Sequence, residues 1–199
     1  MRTQSLLVAA FTLICGCSVE RNGASTRDSG TAAELPKSPA ADSGATTSPA
    51  PGDAWTVTPA GIGPVRVGMS VDDLRRATEV TLPAGGLASC TYVRPSGAPP
   101  GVSVMLASGQ VARIDVDSSG VRTDAGISVG DSAARIGQAY AGRVTTRPHK
   151  YVSGGEYLIV KAASPADSTL RIVFESEGGR ITRLRSGRAP EVEWVERCG

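Results

Sequence analysis

The chain has 199 residues, a formal charge of +2, and 40% hydrophobic but only 4% aromatic residues. A charge so near neutrality leaves no electrostatic footprint for nucleic acid, and one histidine among scattered carboxylates gives little to build a metal centre from. The length suits one ordinary domain with accessory segments.

The first predicted element is a leader. Met1-Arg2-Thr3-Gln4 forms a short positive region, and an apolar run from Leu6 to Ile14 follows, broken only by Thr12. This is the pattern of a secretory signal. The run is too short to cross a hydrocarbon core of about 30 Å, and no later stretch approaches the roughly 20 apolar residues that spanning needs. No transmembrane helix is therefore expected in the mature chain. Ile14-Cys15-Gly16-Cys17 resembles the lipobox of bacterial lipoproteins, with an aliphatic residue three before the acceptor cysteine and a small residue directly before it. The resemblance implies that residues 1–16 are removed and that Cys17 becomes the acylated N-terminus, with the lipid bilayer as a partner. Cys15 departs from the commoner pattern, but taking it as acceptor would place bulky Ile14 beside the cut. Each buried CH₂ contributes about 0.8 kcal/mol, so several acyl chains on one residue hold a protein durably. In the resemblance, the non-acidic Ser18 implies the periplasmic side of the outer membrane.

Residues 17–53 then turn to Ser, Thr, Ala, Pro and Gly, with Val19 and Leu35 as rare larger apolar residues. Such a segment cannot bury enough surface to offset its ordering entropy and is expected to be a disordered linker. As a coil of roughly 36 residues it would span about 35 Å.

Residues 54–199 are expected to fold as one α+β domain built from a tandem repeat, about 61–117 and about 122–187, with a C-terminal strand over 191–198. Val67-Gly68-Met69-Ser70-Val71-Asp72-Asp73-Leu74 aligns with Val129-Gly130-Asp131-Ser132-Ala133-Ala134-Arg135-Ile136. Cys90-Thr91-Tyr92-Val93 falls near Tyr157-Leu158-Ile159-Val160, and the two hairpin strands ending in Arg113-Ile114 match those ending in Arg183-Leu184. Order and spacing hold across all three blocks. Each half reads as a short strand, a Gly turn, a helix and three strands, giving helices on one face of an antiparallel sheet. In the first helix Ser70 is the expected N-cap, with Asp73 as a short-armed capping-box acid, and Val71, Leu74 and Ala77 or Thr78 share a face. In the second, Asp131 or Ser132 is expected to cap, Ala133, Ile136 and Tyr140 form the stripe, and Gly142 ends it. Ser108-Gly109 and Glu177-Gly178-Gly179 mark hairpin turns. Arg94 to Gly101, with three prolines, and Ser164-Pro165-Ala166-Asp167 mark loops.

The Val-Gly-Met-Ser turn before a helix, the Cys-Thr-Tyr strand and the following hairpin resemble the small periplasmic lipoproteins of the outer-membrane assembly machinery. The unit in tandem resembles the secreted β-lactamase-inhibitory proteins. What this implies is a protein-binding scaffold without catalysis.

Beyond the anchor, Cys90 and Cys198 are expected to pair in an oxidising compartment. The bridge would close a loop of over 100 residues, worth about 4 to 5 kcal/mol in the loop-entropy model. A redox pair or metal site is weaker, for want of a Cys-x-x-Cys and of further histidines.

Gly126-Ile127-Ser128-Val129-Gly130 fits the Gly-x-Ser-x-Gly string of serine hydrolases, with Asp131 and His149 downstream. The repeat explains Gly130 as a helix-opening turn, however, and the domain is small for that fold. His149, between Arg147 and Lys150, is expected in a solvated loop. Asp115, Asp117 and Asp124 lack the spacing of an EF-hand and read as exposed strand and turn carboxylates. Gly61-Ile62-Gly63 lacks the lysine of a phosphate loop. Arg113, Arg180, Arg183, Arg185 and Arg188 form a basic set, either a solvated sheet face or a docking patch for an acidic protein or an anionic wall polymer. Trp55 and Trp194 serve either the core or an interface. No catalytic residue, metal ligand or cofactor is expected. The function that fits best is a lipid-anchored module binding an envelope or secreted protein, as an assembly accessory or as an inhibitor or immunity factor. A small wall-acting hydrolase using Ser128 or a carboxylate pair, and a spacer between membrane and peptidoglycan, are the alternatives.

Overall fold

The computed structural model describes residues 53–84 and 86–198. The signal segment, Cys17 and the linker to residue 52 lie outside the described residues. The described part is a mixed α+β domain dominated by antiparallel sheet.

Three two-residue strands, β1 (Val57–Thr58), β2 (Gly61–Ile62) and β3 (Val65–Arg66), make a small antiparallel meander. So short a meander has little stability of its own. It is held because Val57, Ile62 and Val65 are fully buried in the main core. Helix α1 (Val71–Ala77) follows. Its start is the expected one: Ser70 Oγ accepts from Asp73 N at 3.1 Å. The acid works differently from a capping box, since its Oδ2 accepts from the Ser70 hydroxyl at 2.7 Å. Seven residues are too few for a helix to persist alone, so Leu74, fully buried, supplies the anchor.

The main sheet comprises β4 (Cys90–Val93), β5 (Val102–Ala107), β6 (Gln110–Val116), β7 (Val144–Pro148), β8 (Glu156–Lys161), β9 (Leu170–Glu177) and β10 (Arg180–Arg188). Its order is β4-β5-β6-β10-β9-β8-β7, antiparallel throughout. The β5–β6 hairpin turns through Ser108 and Gly109 at φ +51° and +75°, and the β9–β10 hairpin through Gly178 and Gly179 at +56° and +75°. Two successive positive φ values match the twist of the flanking strands, as in type I′ hairpins. In mid-sheet β6 meets β10, with Val116 opposite Leu184 and Arg113 opposite Gly187. A Cβ on Gly187 would lie 2.4 Å from Ala112 O, so that close approach requires glycine.

Helix α2 (Ala134–Ala139) corrects the sequence expectation at its start. Neither Asp131 nor Ser132 caps it. Ala133 holds that position without a side-chain bond, because Asp131 Oδ2 is taken by Ser128 N at 3.0 Å and by Arg135 at 2.7 Å. Ile136 is buried in the same cluster as Leu74, with Val104, Ile114, Phe174 and Leu184. The strand expected over 191–198 is also corrected. Glu191–Glu193 is a 3₁₀ turn after the cis Ala189–Pro190 bond, and no strand is found there among the described residues.

Candidate functional site

Strand alternation puts every second side chain on one face. While Ile114, Val116, Phe174 and Leu184 enter the main core, a second small cluster of Tyr157, Ile159, Val173 and Val192 forms separately. Val192 belongs to the C-terminal segment, so this segment covers the far face of the sheet. The polar side chains interleaved with that second cluster are the chemically loaded part of the molecule.

Arg113 and Arg185 are each only 1% exposed. Arg113 Nε donates to both Asp115 oxygens at 3.0 and 3.1 Å, and its Nη1 donates to Trp194 O at 2.7 Å and Glu191 O at 3.3 Å. Arg185 Nε donates to Val192 O at 2.7 Å, and its Nη1 to Glu175. The two guanidiniums thus spend one side on a sheet carboxylate and the other on carbonyls of the C-terminal segment. A 3₁₀ turn offers few internal partners for those carbonyls, so charged donors hold it strongly. The Tyr92 hydroxyl donates to Asp115 Oδ2 at 2.8 Å. Burial, and next the Asp115 charge, push the Tyr92 phenol up to about 12. Burial and then the Arg113 charge lower Arg185 from its ordinary value, against the pull of Glu175.

The same segment is tied at further points. Glu193 pairs with Arg171 at 2.6 Å and with Arg147 at 3.3 Å. Arg197 donates to Ser103 Oγ at 2.6 Å and lies 4.2 Å over the Tyr92 ring. Cys198 is disulfide-bonded to Cys90, 108 positions away. That bridge is as expected from the sequence, although what it fastens is a turn lying across the sheet and not a strand.

The other anticipated residues fall as follows. The five arginines do not form one surface: Arg113 and Arg185 are buried, which removes them from any docking patch. Arg180 is exposed and donates to Gly130 O at 2.9 Å, Arg183 lies 3.6 Å from Glu175, and Arg188 bonds Gln110 at 3.1 Å and Glu191 at 3.3 Å. Asp115 is 3% exposed, not a solvated carboxylate, because an adjacent guanidinium compensates it. His149 is also not solvated. Its ring stacks on Tyr157 with centroids 4.4 Å apart, Nδ1 accepts from Tyr151 N and Val152 N at 3.1 Å, and Nε2 lies 3.7 Å from Glu175. Ser128 is buried, and its hydroxyl donates to Val121 O at 2.8 Å. Asp124 Oδ1 accepts from the Tyr140 hydroxyl at 3.0 Å. Trp55 packs partly buried on the core, and Trp194 is 41% exposed. Sequence reasoning missed Glu175, Glu193, Arg147 and Arg171. Glu175 sits two residues after Val173 and thus on the same face, which was the available signal.

No protein-family model and no curated protein matches the chain. Among solved structures, the uncharacterized protein yfeY from Escherichia coli is similar, at a TM-score of 0.43 and 13% identity, over 67% of this chain and 99% of that one.

Proposed function

We propose that the protein is a lipoprotein, anchored through acylated Cys17 to the periplasmic side of the outer membrane, whose domain binds an envelope or secreted protein without catalysing a reaction. The observation that carries this reading is the direction of the polar groups. Ser128 donates to Val121 O, and Arg113, Arg185, Asp115 and Glu175 are bonded to one another or to the chain's own backbone. A nucleophile needs a base within reach and a free hydroxyl, whereas these groups are spent on building a rigid scaffold.

The domain is further read as a tandem duplication with helices covering one face. Equivalent bonds in the two halves support it. Gly68 N donates to Val111 O and Gly130 N to Ile181 O, at 2.7 and 2.8 Å. Val111 N returns to Met69 O and Ile181 N to Asp131 O, at 2.8 and 2.9 Å. The bridges Ser70 to Gln110 and Ser132 to Arg180 fall at the same places. Leu74 and Ile136 entering one cluster supports the common helix face.

The test is photo-crosslinking of the full chain in intact cells, with the reactive group placed in turn at Tyr151, Arg180 and Arg183. A discrete protein adduct is expected. An adduct with one secreted enzyme points to an inhibitor or immunity factor, and one with outer-membrane assembly proteins to an accessory. No adduct from any of the three positions refutes the binding role. Ser128→Ala leaves turnover of wall material unchanged, and a loss of turnover would instead establish the hydrolase.

A further inference from the structure

Where the C-terminal segment lies on the sheet it leaves a cavity of about 180 Å³. Its walls are Pro148, Tyr157, Ile159, Val173 and Val195, and its polar groups are Arg147, Arg185 and Glu193. Arg185, whose guanidinium also sits 5.5 Å over the Tyr157 ring, does not use all its donors within the fold. Its Nε and Nη1 are committed to Val192 O and Glu175, but no acceptor for Nη2 is found among the described residues. A guanidinium offers five donors in a fixed fork, and the two on Nη2, which is not among the fully enclosed unpaired polar atoms, stay open to whatever occupies the hollow that Arg185 lines.

Charge around the cavity is unbalanced in the same sense. Arg147 and Arg185 line it against a single lining carboxylate, Glu193, which is itself shared between Arg147 and Arg171. Arg113 adds a further cation close to Arg185, compensated by its own Asp115. An anion entering here restores balance, and the aliphatic and aromatic walls reward an apolar body attached to it.

We propose that this cavity binds a small monocarboxylate with a short branched or aromatic body. The carboxylate accepts from Arg185 Nη2, with Arg147 at the rim as a second donor, and the body packs against Val173, Val195 and Ile159. Inorganic anions fit less well because they leave those walls uncovered. This site is independent of the protein-binding reading, since it lies beneath the segment and not on the exposed positions chosen for crosslinking.

The experiment uses the full-length protein in detergent, with isovalerate as the probe, 3-methylbutan-1-ol as its neutral counterpart, and methyl chemical shifts of Ile159, Val173 and Val195 as the readout. Saturable shifts at these methyls are expected with isovalerate. The alcohol is expected to bind at least roughly tenfold more weakly, as the loss of one charge-assisted hydrogen bond implies. Arg185 also holds the fold, so the variant of choice is Val195→Phe, which fills the cavity and leaves the guanidinium in place. It should abolish the shifts at Ile159 and Val173 while the remaining spectrum is preserved. Absence of saturable shifts, equal binding of the alcohol, or unchanged binding by Val195→Phe would each overturn the proposal.

Discussion

Replacing Arg113 by Met tests whether the buried arginines hold the C-terminal segment. The change keeps an unbranched, volume-filling side chain but removes every donor. Asp115, 3% exposed, would retain only the Tyr92 hydroxyl, and breaking a buried pair in this way costs about 3–5 kcal/mol. The carbonyl of Trp194 loses its donor as well, adding about 1 kcal/mol where it stays buried, whereas Glu191 O keeps Trp194 N at 3.3 Å. The total, roughly 4–6 kcal/mol, is a large share of the 5–15 kcal/mol typical of a domain. Arg113→Met/Asp115→Leu removes the stranded charge together with its partner. It should recover all but about 1–2 kcal/mol, since the Trp194 carbonyl and the Tyr92 hydroxyl, deprived of Asp115, remain unserved. Urea unfolding followed by tryptophan fluorescence measures both variants. A loss below about 1 kcal/mol for Arg113→Met, or a double variant no more stable than the single one, would refute the reasoning.

Three further outcomes follow from the same geometry. Cys90→Ala/Cys198→Ala opens a loop spanning 108 positions, and the loop-entropy relation predicts a loss of about 4.8 kcal/mol. A thermal midpoint lowered by less than about 5 °C would contradict it, since each kcal/mol is worth roughly 2–4 °C in a chain of this size. Ser186 Oγ is buried without a partner, so Ser186→Ala should be neutral or stabilising, and a measured loss above about 1 kcal/mol would show a missed bond. Tyr140 is held up to about 12 chiefly by burial. Because its folded value exceeds the unfolded value near 10, the protonated phenol's contribution is complete below pH 10 and lost as the pH rises to 12. Stability of the wild type should therefore fall more steeply over that interval than that of Tyr140→Phe, and parallel slopes would contradict this.

What could be read in advance was local chemistry. Ser70 with Asp73, the Ser108-Gly109 and Gly178-Gly179 turns, and the Cys90–Cys198 pair each depend on residue types that suit few alternatives. What could not be read were positions where a distant part of the chain outbids the local pattern. Val192 and Trp194 alternate with glutamates like a strand, but β10 already has β6 and β9 on its two sides, and the carbonyls of residues 191, 192 and 194 go to Arg113 and Arg185. Strand β7 carries Thr145, Thr146 and Arg147, exposed at the sheet edge, so no apolar alternation announces it. Asp131 is a plausible cap by type, yet Ser128 N and Arg135 claim it first. By general preference arginines belong at the surface. Only the placement of Asp115 and Glu175 on the same face allows two of them to be buried.

The most direct test of the proposed anchoring is the mass of the N-terminal peptide of protein purified from its own cells in detergent. A peptide beginning at Cys17 and carrying acyl chains is expected, with Cys17→Ser abolishing both the acylation and the detergent partitioning. A mature N-terminus that is unacylated, or that begins elsewhere, would contradict the lipid anchor and with it the envelope location on which the binding role rests.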